Sequence, residues 1–468
     1  MQHRNVDVAI IGAGSAGLRA FRSAQASTDS VVLIEGGPYG TTCARVGCMP
    51  SKLLIAAAEA AHAVTEAPRF GVQTEPPVVD GVAVMDRVRR ERDRFVGFVV
   101  DGVEEIPAAQ RLRGYARFLD DHRLQIDNHT IVTANRIVIA SGSSPSYPPA
   151  WQALGDRLLI NDDIFDWQDL PRAVAVFGPG VIGLELGQAL SRLGVEVKLF
   201  GRGGQFGPLT DPAVVATAID TFAAEFHVDA DAEIKRMERV GDGVEIDFVD
   251  PDGAVQRTTV DYVVAATGRK PNVAKLGLEN TSLPLGPDGV PLFDPLTTQV
   301  GDSHVFIAGD VNDDRALLHE AADEGQIAGN NAGRYPNVAP GKRRSALAVV
   351  FSDPQIAMVG DTYAALQGRN VAIGEVSFED QGRSRVMLKN QGLLRVYADA
   401  ASGRFLGAEM LGPRAEHLAH LLAWAHQSNL TINEMLEMPF YHPVIEEGLR
   451  TALRDVAGKL KIPLQRVA

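Results

Sequence analysis

Val6-Asp7-Val8-Ala9-Ile10-Ile11 is apolar at all but one position and stops at a glycine. That run reads as a parallel strand buried on both faces. Gly12-Ala13-Gly14-Ser15-Ala16-Gly17 follows, then a helix to about Gln25, then a second strand from Ser30 to Ile34 that ends at Glu35. Ser51 to Ala67 is Ala-rich and helical in pattern. Pro76-Pro77 breaks the chain before a charged helical stretch, Met85 to Val103. Strands around Gly114 to Phe118, Arg123 to Ile126 and Arg136 to Ala140 lead to a turn at Gly142-Ser143-Ser144-Pro145.

The pattern then restarts. Ala173 to Phe177 is a strand, Gly178-Pro179-Gly180-Val181-Ile182-Gly183 a glycine turn, Leu184 to Leu193 a helix, and Val195 to Phe200 the next strand. The chain therefore repeats one βαβ unit, and two dinucleotide folds imply two dinucleotides. A Gly/Pro/Asp-rich stretch, Gly277 to Pro295, marks a further boundary. From about Arg344, strands (Ala346 to Phe351, Gly392 to Tyr397) mix with helices (Ala415 to Ser428, Ile445 to Ala457).

Composition narrows the class. The chain of 468 residues carries a net charge of −14, which disfavours nucleic acid or an anionic membrane surface as the main partner. No apolar run approaches the roughly 18 residues of a membrane helix. Met1 to Asp7 lacks the regions of a signal peptide, so a cytoplasmic location is expected. Only two cysteines occur, Cys43 and Cys48. A lone disulfide in a reducing compartment is catalytic more often than structural.

The first glycine fingerprint follows a strand, opens a helix, and has an acid 18 residues after Gly17. Gly12 allows the tight turn, Gly14 lets the backbone approach a pyrophosphate, and Gly17 permits close packing. Glu35 would accept from a ribose hydroxyl. The alternative is an α/β turn that holds no cofactor. In the second fingerprint Gly178, Gly180 and Gly183 repeat the spacing, but Gly201 stands where an acid would, followed by Arg202. With no carboxylate to repel a 2′-phosphate, Arg202 could pair with one, which points to NADP. A solvated loop arginine is the alternative. An acid placed at 201 is expected to shift preference toward NAD.

Positions five apart in an undistorted helix have Cα atoms roughly 8 to 9 Å apart, and a disulfide needs about 4.4 to 6.8 Å. If Cys43 and Cys48 bond, their segment is not regular helix, and Gly47 and Pro50 supply the irregularity. The following helix would present its positive end to Cys48. Two cysteines without paired histidines make only half a zinc site, so no metal is expected. Two buried thiols remain the alternative.

At this point the residues resemble the class I pyridine nucleotide–disulfide oxidoreductases, which are FAD flavoproteins, and among them the dihydrolipoamide dehydrogenase branch. The resemblance covers nearly the whole chain. It rests on Cys43-(x4)-Cys48-Met49-Pro50-Ser51-Lys52, Gly180 to Glu185, Ala266 to Asn272, Ile307-Ala308-Gly309-Asp310, Leu318-His319-Glu320-Ala321, Val350 to Ala357 and His442-Pro443-Val444-Ile445-Glu446-Glu447. It implies an α/β fold with two Rossmann-like dinucleotide-binding domains, a central domain, and a C-terminal α+β dimerisation domain. The expected boundaries are 1–147 for FAD with the redox disulfide, 148–269 for NAD(P), 270–343 completing the FAD site, and 344–468 at the dimer interface.

By the same resemblance Cys48 would lie near the flavin and Cys43 would exchange with substrate. Lys52 would sit by the flavin and pair with Glu185. His442, held by Glu447, would be the base, reaching across a homodimer to the partner's disulfide. Gly12, Gly14, Gly17, Glu35, Lys52, Gly142, Gly309, Asp310 and Ala321 would hold FAD. Gly178, Gly180, Gly183, Arg202 and Gly268 would hold the NAD or NADP. Arg45, Tyr441, Gln355 and Gly201 depart from the family pattern, whereas Gly183 and Val181 are its NAD-type choices and stand against the NADP reading of Arg202. The expected reaction is dithiol oxidation to NAD(P)+ on a lipoyl-bearing protein or small dithiol. The alternatives are an NADPH-driven reductase of a small disulfide and a flavoprotein subunit without turnover. Without a C-terminal cysteine, the extra relay pair of mercuric and large thioredoxin reductases is not expected, nor is an N-terminal lipoyl domain.

Overall fold

The computed structural model describes residues 1–250 and 252–460. They fall into two compact units: 1–50 with 87–146 and 268–343, and 51–86 with 147–267 and 344 onward. The end of the expected 344–468 domain, 461–468, lies outside the described residues.

The first unit is built on a seven-stranded sheet. Gln2–Ile11 lies between Val31–Glu35 and Thr130–Ile139, parallel to both. The first strand begins earlier than its apolar run, because Gln2 to Asn5 pair with Thr130 to Thr133 although they are largely exposed. Backbone pairing, which side-chain pattern does not report, sets that end. Thr130–Ile139 pairs antiparallel with Arg123–Ile126 at its start and parallel with Val305–Ile307 at its end. Helix Ser15–Gln25 packs against Leu318–Arg334. Ideal Cβ atoms on Gly325 and Gly329 would lie 2.2 Å from the carbonyl oxygens of Ala16 and Ala20, so the two backbones touch where these glycines sit. The expected turn at Gly142 to Pro145 holds a short strand, Ser143–Pro145, paired antiparallel with Arg269–Pro271.

The second unit contains a five-stranded parallel sheet in the order His227–Asp229, Glu196–Phe200, Ala173–Phe177, Tyr262–Ala265, Leu158–Ile160. Helix Val181–Arg192 follows the central strand and is buried from Gly183 to Leu190. A three-stranded antiparallel meander, Ile234–Val240, Gly243–Val249 and Val255–Val260, is inserted before Tyr262–Ala265. The C-terminal part is a five-stranded antiparallel sheet: Leu347–Val350, Gln355–Gly360, Phe405–Gly412, Leu393–Asp399, Val371–Ser377. Helices Ala415–Gln427 and Glu446–Lys459 cover it, with Phe378, Phe405, Leu418, Leu422 and Leu453 in the shared core. Among the described residues no helix is long and apolar enough to cross a membrane.

Candidate active site

In the first unit the cysteines sit where the helix breaks. Thr42–Val46 is one short helix and Cys48–Glu66 the next, and Gly47 between them has φ −128 and ψ −116. An ideal Cβ on Gly47 would lie 3.0 Å from the Thr42 oxygen and 3.3 Å from Cys43 Cα, so the chain folds closely back on itself there. Thr41, at φ 58, caps the short helix by accepting from the Ala44 N–H at 3.3 Å. A non-glycine residue at positive φ is uncommon and marks a constrained segment. Cys43 is half-buried and Cys48 exposed. Cys48 opens a 19-residue helix, and the positive end of a helix dipole favours a thiolate.

The two fingerprints share one geometry. Gly12 and Gly178 have φ of +106 and +105. Ideal Cβ atoms on Gly17 and Gly183 would lie 1.8 and 1.9 Å from the oxygens of Gly12 and Gly178. Only glycine permits either contact. Over Gly14 and Gly180, by contrast, an added Cβ would meet nothing within 4 Å. That open space lies at a helix N-terminus, where a diphosphate is favoured. The cradles therefore fit the two dinucleotides. Glu35 ties the first cradle together: Oε2 accepts from the Ala13 N–H at 2.8 Å and Oε1 from Gly37 at 2.6 Å. Two oxygens with about four acceptor sites leave capacity for ribose hydroxyls.

Asp310 accepts from the Ser143 hydroxyl at 2.8 Å, and Arg269 donates to both Ser143 Oγ and its carbonyl at 2.8 Å. Gly142 and Gly268 flank this knot with open space around them. Gly309 donates at 2.8 Å to Glu324, a fully buried carboxylate that also takes Asn312. Burial pushes the Glu324 carboxyl up, only partly offset by the Gly309 N–H and the Arg343 charge. Ala321 is buried one helical turn before Glu324.

In the second unit Lys52 and Glu185 meet. Lys52 Nζ lies 2.7 and 2.9 Å from the two oxygens of Glu185, whose side chain is 4% exposed. The same carboxylate accepts from the Phe351 N–H at 3.0 Å. Farther along that helix, Gln188 both accepts from the Asp353 N–H and donates to the Asp353 carbonyl, each at 2.8 Å. Arg192 bonds Asp353 and Glu225. Burial raises the Asp353 carboxyl, but Lys389 and Arg192 outweigh it and hold the group below the ordinary range.

His442 Nδ1 lies 3.1 Å from each oxygen of Glu447. A carboxylate only accepts, so Nδ1 carries the proton that faces Glu447, and in the neutral ring the lone pair is then on Nε2. His442 is 81% exposed and Glu447 18%. The histidine's bond holds the Glu447 carboxyl below its usual value, with Val444 and Arg450 adding to it.

Arg202 is exposed past the end of Glu196–Phe200. The structure corrects one expectation beside it. An ideal Cβ on Gly201 would lie 2.4 Å from the Ala230 oxygen and 2.7 Å from its carbonyl carbon. No acid fits at 201 without moving the backbone, so close packing explains this glycine and Gly201→Glu is not a clean test.

Phe351, Gln188 and Asp353 were given no role from sequence. The available signal was polar Glu185, Gln188 and Arg192 on one stripe of an otherwise Leu/Ala/Gly-rich helix.

The family model for pyridine nucleotide-disulphide oxidoreductases matches residues 6–325, and its dimerisation domain matches 347–453. The chain belongs to this family. The pyridine nucleotide-disulphide oxidoreductases use FAD and NAD(P), and the dimerisation domain supports a homodimer. A mercuric reductase of Shigella flexneri is 30% identical over 97% of this chain and 81% of its own length. Dihydrolipoyl dehydrogenase 2 of Haloarcula marismortui is 28% identical over 97% of each chain. Among solved structures, LpdA from Mycobacterium tuberculosis has a TM-score of 0.81 at 23% identity, covering 97% of this chain and 99% of that one. The first two carry different substrates in their names, and the third shares the fold.

Proposed function

We propose that this flavin disulfide oxidoreductase oxidises a dithiol of the dihydrolipoamide class through a Cys43–Cys48 disulfide. A substrate thiolate attacks Cys43 and the Cys43–Cys48 bond breaks. The second substrate thiol then displaces Cys43, releasing the substrate as a disulfide and leaving the protein pair reduced. Bound FAD supplies the two-electron path from that pair to NAD(P)+. His442 Nε2 takes the proton of the attacking thiol, and Glu447 stabilises the imidazolium so formed. Lys52 and Glu185 hold a charge pair at the nicotinamide side, with Glu185 buried and Lys52 partly exposed, and Cys48 leaves the broken disulfide as a thiolate at its helix N-terminus. The residues assigned to FAD are Gly12, Gly14, Gly17, Glu35, Lys52, Gly142, Gly309, Asp310 and Ala321. Those assigned to the nicotinamide nucleotide are Gly178, Gly180, Gly183, Arg202 and Gly268. The observation that carries this reading is the His442–Glu447 pair, because thiol exchange needs a base and electron transfer alone does not.

A second reading, an NADPH-driven reductase of a small disulfide, is favoured by Arg202 beside a position closed to any acid. Steady-state rates with NAD(H) and NADP(H), against dihydrolipoamide, glutathione disulfide and Hg(II), test both. Dihydrolipoamide turnover with loss in His442→Ala is expected. Reduction of Hg(II) or glutathione disulfide without dihydrolipoamide turnover would overturn the first reading.

A further inference from the structure

We propose that Phe351 is a positioning residue for the flavin step, because it grips both members of the Lys52–Glu185 pair. The proposal rests on the reading that this pair serves the flavin. The Phe351 ring lies under the Lys52 ammonium, with Nζ 4.6 Å from the ring centroid. Its backbone N–H donates to Glu185 Oε1 at 3.0 Å. One residue thus contacts the cation through its ring and the anion through its amide.

The need for such a grip follows from exposure. Glu185 is buried, but the Lys52 side chain is 33% exposed. Water competes for that ammonium, and a four-carbon stem has many rotamers. An aromatic face within about 6 Å attracts the cation without taking any of its three donors. The ring therefore leaves the Lys52 donors to Glu185 and to whatever lies beyond.

Phe351 is itself fixed. It follows strand Leu347–Val350 and enters the turn before Gln355–Gly360. Two residues on, the Asp353 backbone is held by the paired bonds of Gln188, from the same helix as Glu185. The Ser352 hydroxyl closes the turn onto the Pro354 oxygen at 2.8 Å. These bonds hold the backbone beside Phe351, and with it the root of the ring, against the helix that carries Glu185.

The test compares Phe351→Leu, which keeps bulk and loses the ring face, with Phe351→Tyr, which keeps the ring. Phe351→Met provides a second ringless variant. One readout, taken on FAD-loaded protein, is the rate at which an amine reagent labels Lys52, normalised to exposed Lys342 and followed by peptide mass spectrometry. The other is the single-turnover rate of flavin reduction by NAD(P)H. In the ringless variants Lys52 labelling should rise and flavin reduction should slow, each by about 3- to 10-fold, the effect of losing one cation–π contact. Phe351→Tyr should restore both. Unchanged labelling in folded ringless variants would overturn the grip. Faster labelling with wild-type flavin reduction would overturn its role in the flavin step. Lys52→Met separates the underlying reading: flavin reduction at the wild-type rate there removes Lys52 from the step, whatever Phe351 does to its reactivity.

Discussion

His442 and Glu447 are joined through both carboxylate oxygens, each 3.1 Å from Nδ1. This fixes the tautomer and leaves Nε2 to exchange a proton. Glu447→Gln keeps an acceptor but removes the charge that stabilises the imidazolium. Losing a charge-assisted bond of roughly 1.5 to 3 kcal/mol corresponds to a fall in dithiol turnover of about 10- to 100-fold. Flavin reduction by NAD(P)H should be unaffected. The folded Glu447 carboxyl is depressed, so its contribution to stability is present above its ordinary value of about 4.3 and is lost as pH falls through the lower folded value. The stability gap between wild type and Glu447→Gln, followed by thermal unfolding across pH, should therefore close only at the acid end. A gap that instead opens toward acid would contradict the pairing.

Cys48→Ser should abolish dithiol turnover yet keep FAD bound, since the cradle of Gly12, Gly14, Glu35 and Asp310 is untouched. Reduced wild type should show a long-wavelength charge-transfer absorption from the Cys48 thiolate. Persistence of that band in Cys48→Ser, with loss in Cys43→Ser, would reverse the two sulfur roles. Flavin lost in proportion from folded Cys48→Ser would contradict the cradle assignment.

The backbone geometry of the two glycine cradles was legible in the sequence. Gly12 to Gly17 and Gly178 to Gly183 are read directly because their spacing encodes backbone contacts, and the 1.8 and 1.9 Å approaches explain why no other residue serves at Gly17 and Gly183. A break near Gly47 was expected if Cys43 and Cys48 bond, from the mismatch between helix geometry and disulfide length. Phe351 was not legible as a contact, because a single phenylalanine after an apolar strand reads as core. Its role depends on a helix more than 150 residues earlier in the chain (Phe351 to Glu185, |i−j| = 166). The packing at Gly201 was hidden for a related reason. An absent acid suggests cofactor choice, whereas the Ala230 carbonyl that excludes it is supplied by a neighbouring strand's end.

Nicotinamide choice is therefore probed at Arg202. Arg202→Ala should lower preference for NADP over NAD by about 10- to 100-fold if the guanidinium binds a 2′-phosphate. Added salt should narrow the difference, since the group is exposed. Gly201→Ala should destabilise the fold by about 1 to 3 kcal/mol from overpacking against Ala230, measured by denaturant unfolding. Unchanged selectivity in Arg202→Ala would show that the arginine is only a solvated loop residue.

A site shared between subunits can be tested through the dimer. If His442 serves the other subunit's cysteines, no subunit holds a complete site. Cys43→Ser and His442→Ala are then each inactive, but a mixed dimer has one site with both lesions and one with neither. Random exchange makes about half the dimers mixed, each with one good site, so activity should recover toward about a quarter of wild type on the logic of a closed two-fold interface. Mixing ratios other than equal should recover less, in proportion to the mixed fraction. Subunit exchange must be verified separately, for instance by mass-tagging one variant. Verified exchange with no recovery at any ratio would place His442 in its own subunit's chemistry, or outside the chemistry altogether, and the exposed His442–Glu447 pair would then need another proton donor to explain its geometry.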